Sequence, residues 1–292
     1  MCLRILLVFI MIIIFACAPN VRVTETYKSN QKKTEEVVKG EGSSAKIVKR
    51  IDYYSNGQIK AEAKITNKKL NGKYLAYHPN GVVYQKGQYK TDKEKGEWTY
   101  FNTSGQIDSI HTFKEGLLDG KTEYNVYGKL IIKQEYKSGK KNGNFIEYYT
   151  DGNKKVTGSY LMNLPNDEWI WYDLNEFKTR QISFKNGLKH GDFKVWKDND
   201  LYLSGIFDED KKSGTWKWHR TKKDLDSLVN YVNGEINGLY EAWYDNGVLS
   251  VKGSFESGIP TGKWEWFSEN NTLDSTKTFK NGLLNGISTF HF

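Results

Sequence analysis

The chain has 292 residues, and its 43 Lys and Arg against 35 Asp and Glu leave a formal charge of +8. The two signs are interleaved along the sequence, which marks a solvated surface and argues against a clustered cationic footprint for nucleic acid. Cysteine occurs only as Cys2 and Cys17, so nothing beyond position 17 can form a disulfide or a thiolate metal site.

The N-terminus reads "MCLRILLVFIMIIIFACAPN". Arg4 precedes an apolar run from Ile5 to Ala16, too short to cross a hydrocarbon core comfortably but of the length of a signal-peptide core. The run ends at "IFAC" and a polar chain begins immediately after it, a pattern that resembles a bacterial lipobox. Residues 1–16 are therefore expected to be a signal peptide and Cys17 the lipidated first residue of the mature chain. The expected address is the bacterial cell envelope, on the outer membrane, with the N-terminal lipid as the membrane contact. Residues 17–50 follow, rich in charge and poor in aromatic residues; they are expected to be a disordered tether. A flexible segment of that length would have a reach of roughly 30 Å.

From residue 51 to 292 the sequence repeats. A glycine recurs at Gly72, Gly96, Gly120, Gly143, Gly191, Gly214, Gly238, Gly262 and Gly286, with Asp167 in the same place once, at spacings of 23 or 24 residues. Self-similarity at such a period means an array of small units, each stacking on its neighbours. Each unit reads as two short strands rich in Tyr, Phe, Trp, Val and Ile, joined by turns. Asn-Gly at 56–57, 80–81 and 246–247, and Asp-Gly at 151–152, predict two-residue hairpin loops with positive φ at both positions. No stretch sustains a helical period over three turns.

Alternation along the strands sorts the side chains into two faces. Gly96, Trp98 and Tyr100 point one way, and the pairs Trp169 and Trp171, Trp216 and Trp218, and Trp264 and Trp266 repeat that face. The unit-start glycine is expected to let a neighbouring ring lie flat over bare backbone. Other units carry a second glycine-aromatic step, "GQY" at 87–89, "GSY" at 158–160, "GIF" at 205–207 and "GSF" at 253–255. The two kinds mostly alternate, giving a superperiod of 47 or 48 residues compatible with the blades of a β-propeller. The alternation slips by one hairpin between Gly120 and Gly143, however, and a four-stranded blade should not slip. The fold class predicted is all-β, an elongated antiparallel meander of repeated 23–24-residue hairpins, with a propeller as the alternative. About twenty strands at roughly 4.8 Å each would span on the order of 95 Å.

The frame "YY-x-NG" followed by "Y-x-NG-xxx-G-x-W-xx-Y" resembles the MORN-variant repeat of bacterial proteins, often labelled YwqK-family antitoxins. The resemblance covers about Asp52 to Phe292. It implies a twisted sheet of successive hairpins used as a binding or scaffolding surface, without established catalytic residues.

Sites for chemistry are scarce. His78, His111, His190, His219 and His291 fall at different places in their units, and none has a second ligand at metal spacing. No catalytic residue, metal or cofactor is expected. The eight paired aromatics, Trp98, Tyr100, Trp169, Trp171, Trp216, Trp218, Trp264 and Trp266, have two readings. They are a core, or they are an aromatic surface for sugar rings, peptides or lipid tails, since a single-layer sheet cannot hide one face completely. The function expected is a non-catalytic, membrane-anchored envelope scaffold that binds a protein or glycan and no nucleic acid. An antitoxin or immunity protein acting at the envelope is the alternative that the family label suggests.

Overall fold

The computed structural model describes residues 20–221, 224–286 and 288–290. Residues 1–16, expected to be a signal peptide, and Cys17 lie outside the described residues. The 24 strands form one open antiparallel meander, with no α-helix among the described residues. Among the described residues no helix is long and apolar enough to cross a membrane. Within the meander consecutive strands pair with each other, as in Lys140–Tyr148 with Lys154–Leu161 and then Leu164–Tyr172. A propeller would need the sheet to break into blades, and it does not.

Contacts divide the chain into two units, one reaching Lys95 and including Thr103–Gly105, the other made of Gly96–Asn102 and Gln106–Phe292. The first holds strands Asn20–Thr26, Lys32–Lys39 and Lys46–Tyr53, in the segment expected to be a tether. The expectation of disorder there is corrected, and these strands account for most of the excess over twenty. The composition argument weighs charge against a closed core. A single sheet asks for less: its backbone groups are satisfied by the ladder, and charges can pair across it. Arg22 meets Glu36 at 2.6 Å and Lys33 meets Glu25 at 2.8 Å. Thr34 donates to Asp52 at 3.0 Å. Glu35 is buried, and Lys32 and the Tyr53 hydroxyl hold its carboxyl below the usual range. Small side chains, Ala61, Ala63 and Ala76, fill the core of this unit further along.

In the second unit two kinds of turn alternate. At one border of the sheet the loops have two residues, both at positive φ, as in Ser138-Gly139 (49° and 81°) and Asn186-Gly187 (52° and 88°). That is the type I′ geometry whose twist matches the flanking strands. At the other border the expectation of two-residue loops is corrected. In Tyr149–Gly152 the amide of Gly152 bonds the carbonyl of Tyr149, and only the glycine has positive φ, at 100°. This is a type I turn closed by a glycine bulge, a longer connection. The Asn-Gly pair at 246–247 makes the same turn, with Gly247 at 81°.

The borders are laced from one hairpin to the next. Tyr149 and Tyr244 donate their hydroxyls to the carbonyls of Tyr172 and Phe267, at 2.9 and 2.8 Å. Arg220 takes the tyrosine's place once and reaches the carbonyls of Trp243 and Tyr244. At the opposite border the amides of Gly139, Gly187 and Gly234 bond the carbonyls of Leu118, Pro165 and Lys212, at 2.7 to 2.9 Å. Each turn thus satisfies backbone groups of its neighbour, which lets a sheet stand without a second layer.

The unit-start glycines do something other than receive rings. Gly143, Gly191 and Gly238 have φ near 100° and sit where the pairing register jumps, between Gln134 and Tyr136, Ile182 and Phe184, and Val229 and Tyr231. They are bulge glycines. A Cβ at Gly143 would meet Glu135, and one at Gly191 would meet Ser183, neither of them aromatic.

Candidate aromatic binding face

The rings lie instead over the second glycine of the alternate units. A Cβ on Gly158, Gly205 or Gly253 would come within 2.1 to 2.3 Å of Trp169, Trp216 or Trp264 respectively. No φ in the left-handed region is involved at these three places, so glycine is needed there for the ring and not for the backbone. Each tryptophan lies flat across the neighbouring strand and reaches a ring two strands away. Trp169 stacks on Phe145 with centroids 5.3 Å apart, Trp216 lies on Phe193 at 5.4 Å, and Trp264 on Tyr240 at 5.8 Å. Edge-on rings close the sides: Tyr160 and Phe184 around Trp169, Phe207 and Tyr231 around Trp216. Such edge-to-face and offset arrangements are the favourable ones for aromatic pairs. The indole N–H groups of Trp169 and Trp216 donate to the carbonyls of Ser159 and Ile206, at 3.0 and 3.1 Å.

The eight predicted aromatics therefore divide. Trp98 and Trp216 are 1% exposed, and Trp169 and Trp264 7%; these four are core. Their partners two residues on, Tyr100, Trp171, Trp218 and Trp266, are half-buried and share the same face. Of the two readings, the core holds for the first member of each pair, while the second is left partly exposed. The reason is geometric. In three of the pairs the first ring, Trp169, Trp216 or Trp264, has a glycine beneath it and rings around it, whereas the second lies nearer the end of its strand.

Cations attend the half-buried rings. The Arg180 guanidinium stands 4.2 Å from the centre of Trp171, and Lys277 Nζ 5.2 Å from that of Trp266. Lys212 Nζ lies 4.5 Å from Trp216, 4.8 Å from Tyr231 and 5.7 Å from Trp218. Their stems cover apolar surface and their charges sit over ring faces. These cations were not legible in the sequence, because Arg180 becomes the direct cross-strand partner of Trp171, and Lys277 that of Trp264, only in the register of the sheet.

The row of rings is interrupted once. Two residues past each unit-start glycine the copies from Gly72 to Gly262 carry Tyr, Trp or Phe, except that Thr122 follows Gly120. Thr122 pairs across the ladder with His111 on one side and Gln134 on the other. His111 Nε2 lies 2.9 Å from the Ser109 hydroxyl, and burial lowers the histidine's pKa, favouring the neutral ring. Among the described residues no group of three or more His, Cys, Asp or Glu converges on one point.

Four stretches of the chain, residues 70–91, 94–115, 236–257 and 260–281, match the family described as MORN repeat variant. No curated protein matches. Solved structures with similarity include the Photorhabdus luminescens Tc holotoxin pore with the TccC3-D651A mutation, at 11% identity and a TM-score of 0.21. Another is the TcdB2-TccC3-Cdc42 complex, at 10% identity and a TM-score of 0.19. The alignments cover 87% of this chain in both cases but only 15% and 18% of the matched chains. The chain thus spans less than a fifth of the length of these two relatives.

Proposed function

We propose that this sheet of MORN-variant repeats is a non-catalytic scaffold of the bacterial envelope, anchored through lipid on Cys17, that holds a protein or glycan against its aromatic face. The observation that carries the reading is the spacing of the half-buried tryptophans. Trp171, Trp218 and Trp266 recur 47 and 48 residues apart, each near a cation. Four strands separate one from the next, about 19 Å at roughly 4.8 Å per strand. An extended partner that touches two of them gains from the second contact as an intramolecular event.

The triple variant Trp171→Ala, Trp218→Ala, Trp266→Ala is expected to keep its far-UV circular dichroism. It should lose the set of envelope components captured by the wild-type chain. Capture of the same set by both would defeat the reading.

The anchor has its own test. Only Ala18 and Pro19 separate Cys17 from strand Asn20–Thr26. At about 3.5 Å per extended residue, a lipid on Cys17 would hold the first strand within roughly 10 Å of the headgroups. Cys17→Ser is expected to release the protein from the membrane fraction with its signal segment uncleaved. Mass spectrometry finding an unmodified residue 17 in the wild-type protein would remove the anchor from the proposal.

A further inference from the structure

The interruption of the ring row at Thr122 costs stability and is not imposed by the fold. Eight sibling copies show that an aromatic ring fits this place. Thr122 is fully buried at 0% exposure and Gln134 is 2% exposed, yet Thr122 Oγ1 and Gln134 Oε1 have no hydrogen-bond partner among the described residues. The Gln134 amide nitrogen is engaged, donating to the carbonyl of Glu135 at 2.7 Å, so its oxygen is the free end. Buried polar atoms are nearly always paired, and an orphan calls for an occupant or a purpose.

Two tyrosines close over the pair. Tyr124 lies two residues beyond Thr122 on the same face, and Tyr136 two residues beyond Gln134 in the opposite direction, because the strands are antiparallel. They stand on either side of the Thr122–Gln134 pair, and Tyr124 helps to raise the Tyr136 pKa, so the two side chains lean toward each other across Thr122 and Gln134. The His111 ring packs edge-on against Tyr124 at 5.4 Å and lies 5.0 Å from Tyr100. The result is a floor of hydroxyl, amide oxygen and imidazole with walls of tyrosine.

We propose that this interruption is a recognition pocket for a neutral hydroxylated ring, the pyranose of a glycan, which enters when the Tyr124–Tyr136 clasp opens. The inference rests on the scaffold reading above and names its ligand class. Aromatic walls suit the apolar face of a sugar ring, and the two orphan oxygens suit its hydroxyl donors. The lining favours neutrality. Thr122 and Gln134 carry no charge, burial lowers the His111 pKa and favours its neutral ring, and burial together with Tyr124 pushes Tyr136 up to about 12.

The test uses the full chain and a panel of neutral disaccharides, cellobiose, maltose and chitobiose, followed by saturation-transfer NMR and titration. The wild type is expected to contact at least one of them. The double variant Thr122→Val, Gln134→Leu should bind it at least tenfold more weakly while melting at the same or a higher temperature, because its orphan atoms are gone. Tyr124→Phe removes the hydroxyl that faces Tyr136 and should tighten binding about two- to tenfold, since opening then costs less. Should the double variant bind the sugar as the wild type does, the pocket is refuted while the scaffold reading stands. Should no disaccharide contact the wild type, the pocket is likewise refuted, and the triple tryptophan variant decides the scaffold separately. A double variant that melts lower and shows no change in sugar contact would assign the two oxygens to a trapped water, which also refutes the proposal.

Discussion

Replacing Trp216 with alanine is expected to lower the stability of the C-terminal unit by about 3–5 kcal/mol, the range for removing a large buried aromatic side chain. Trp216 is 1% exposed and is flanked by Phe193, Phe207, Trp218 and Tyr231. Its indole N–H also satisfies the carbonyl of Ile206. Among the described residues no second layer stands behind these rings to collapse into the space. Urea unfolding followed by far-UV circular dichroism reads the loss. Trp218→Ala, two residues away and half-buried, should cost much less, and an equal loss from both would contradict the division of each pair into core and surface.

Gly205→Ala is the second large effect, and it should reach or exceed the upper end of the usual overpacking cost of about 1–3 kcal/mol. The added methyl would lie 2.3 to 2.7 Å from three atoms of the Trp216 ring, so the ring must lift from the strand it covers. The clash exists only while the ring does. The double variant Gly205→Ala, Trp216→Ala should therefore lose clearly less stability than the two single losses added together. Strict additivity would mean that the glycine is needed for some other reason. Gly214→Ala supplies a contrast, because that glycine has φ of 63° and open space where a Cβ would stand. Its cost of about 1–2 kcal/mol is backbone strain and should be unchanged when Trp216 is absent.

The meander and its face assignment were readable because both follow from short-range chemistry. A 23–24-residue period with turn residues at fixed offsets allows few alternatives to stacked hairpins. Period-two alternation then puts Trp169 and Trp171 on one face whatever surrounds them. The N-terminal strands were missed because composition measures whether a segment can bury a core. Lys33 and Glu25, or Thr34 and Asp52, become partners only once the register is known. The turn at Tyr149–Gly152 was misjudged for a similar reason. Asp-Gly suits both a two-residue loop and a type I turn with a bulge, and the lacing of the border selects the second.

The sequence by itself determined the all-β class, the repeat, the open meander over the propeller, and the eight aromatics that share a face. Tertiary structure alone decided which tryptophan of each pair is buried, which glycine lies beneath it, and which cations stand near the exposed rings. It also closed Tyr124 and Tyr136 over two oxygens without partners. Local pattern fixes the direction in which a side chain leaves the backbone. Burial and hydrogen-bond satisfaction depend on strands 20 or more residues away, and these become neighbours only when the sheet has formed.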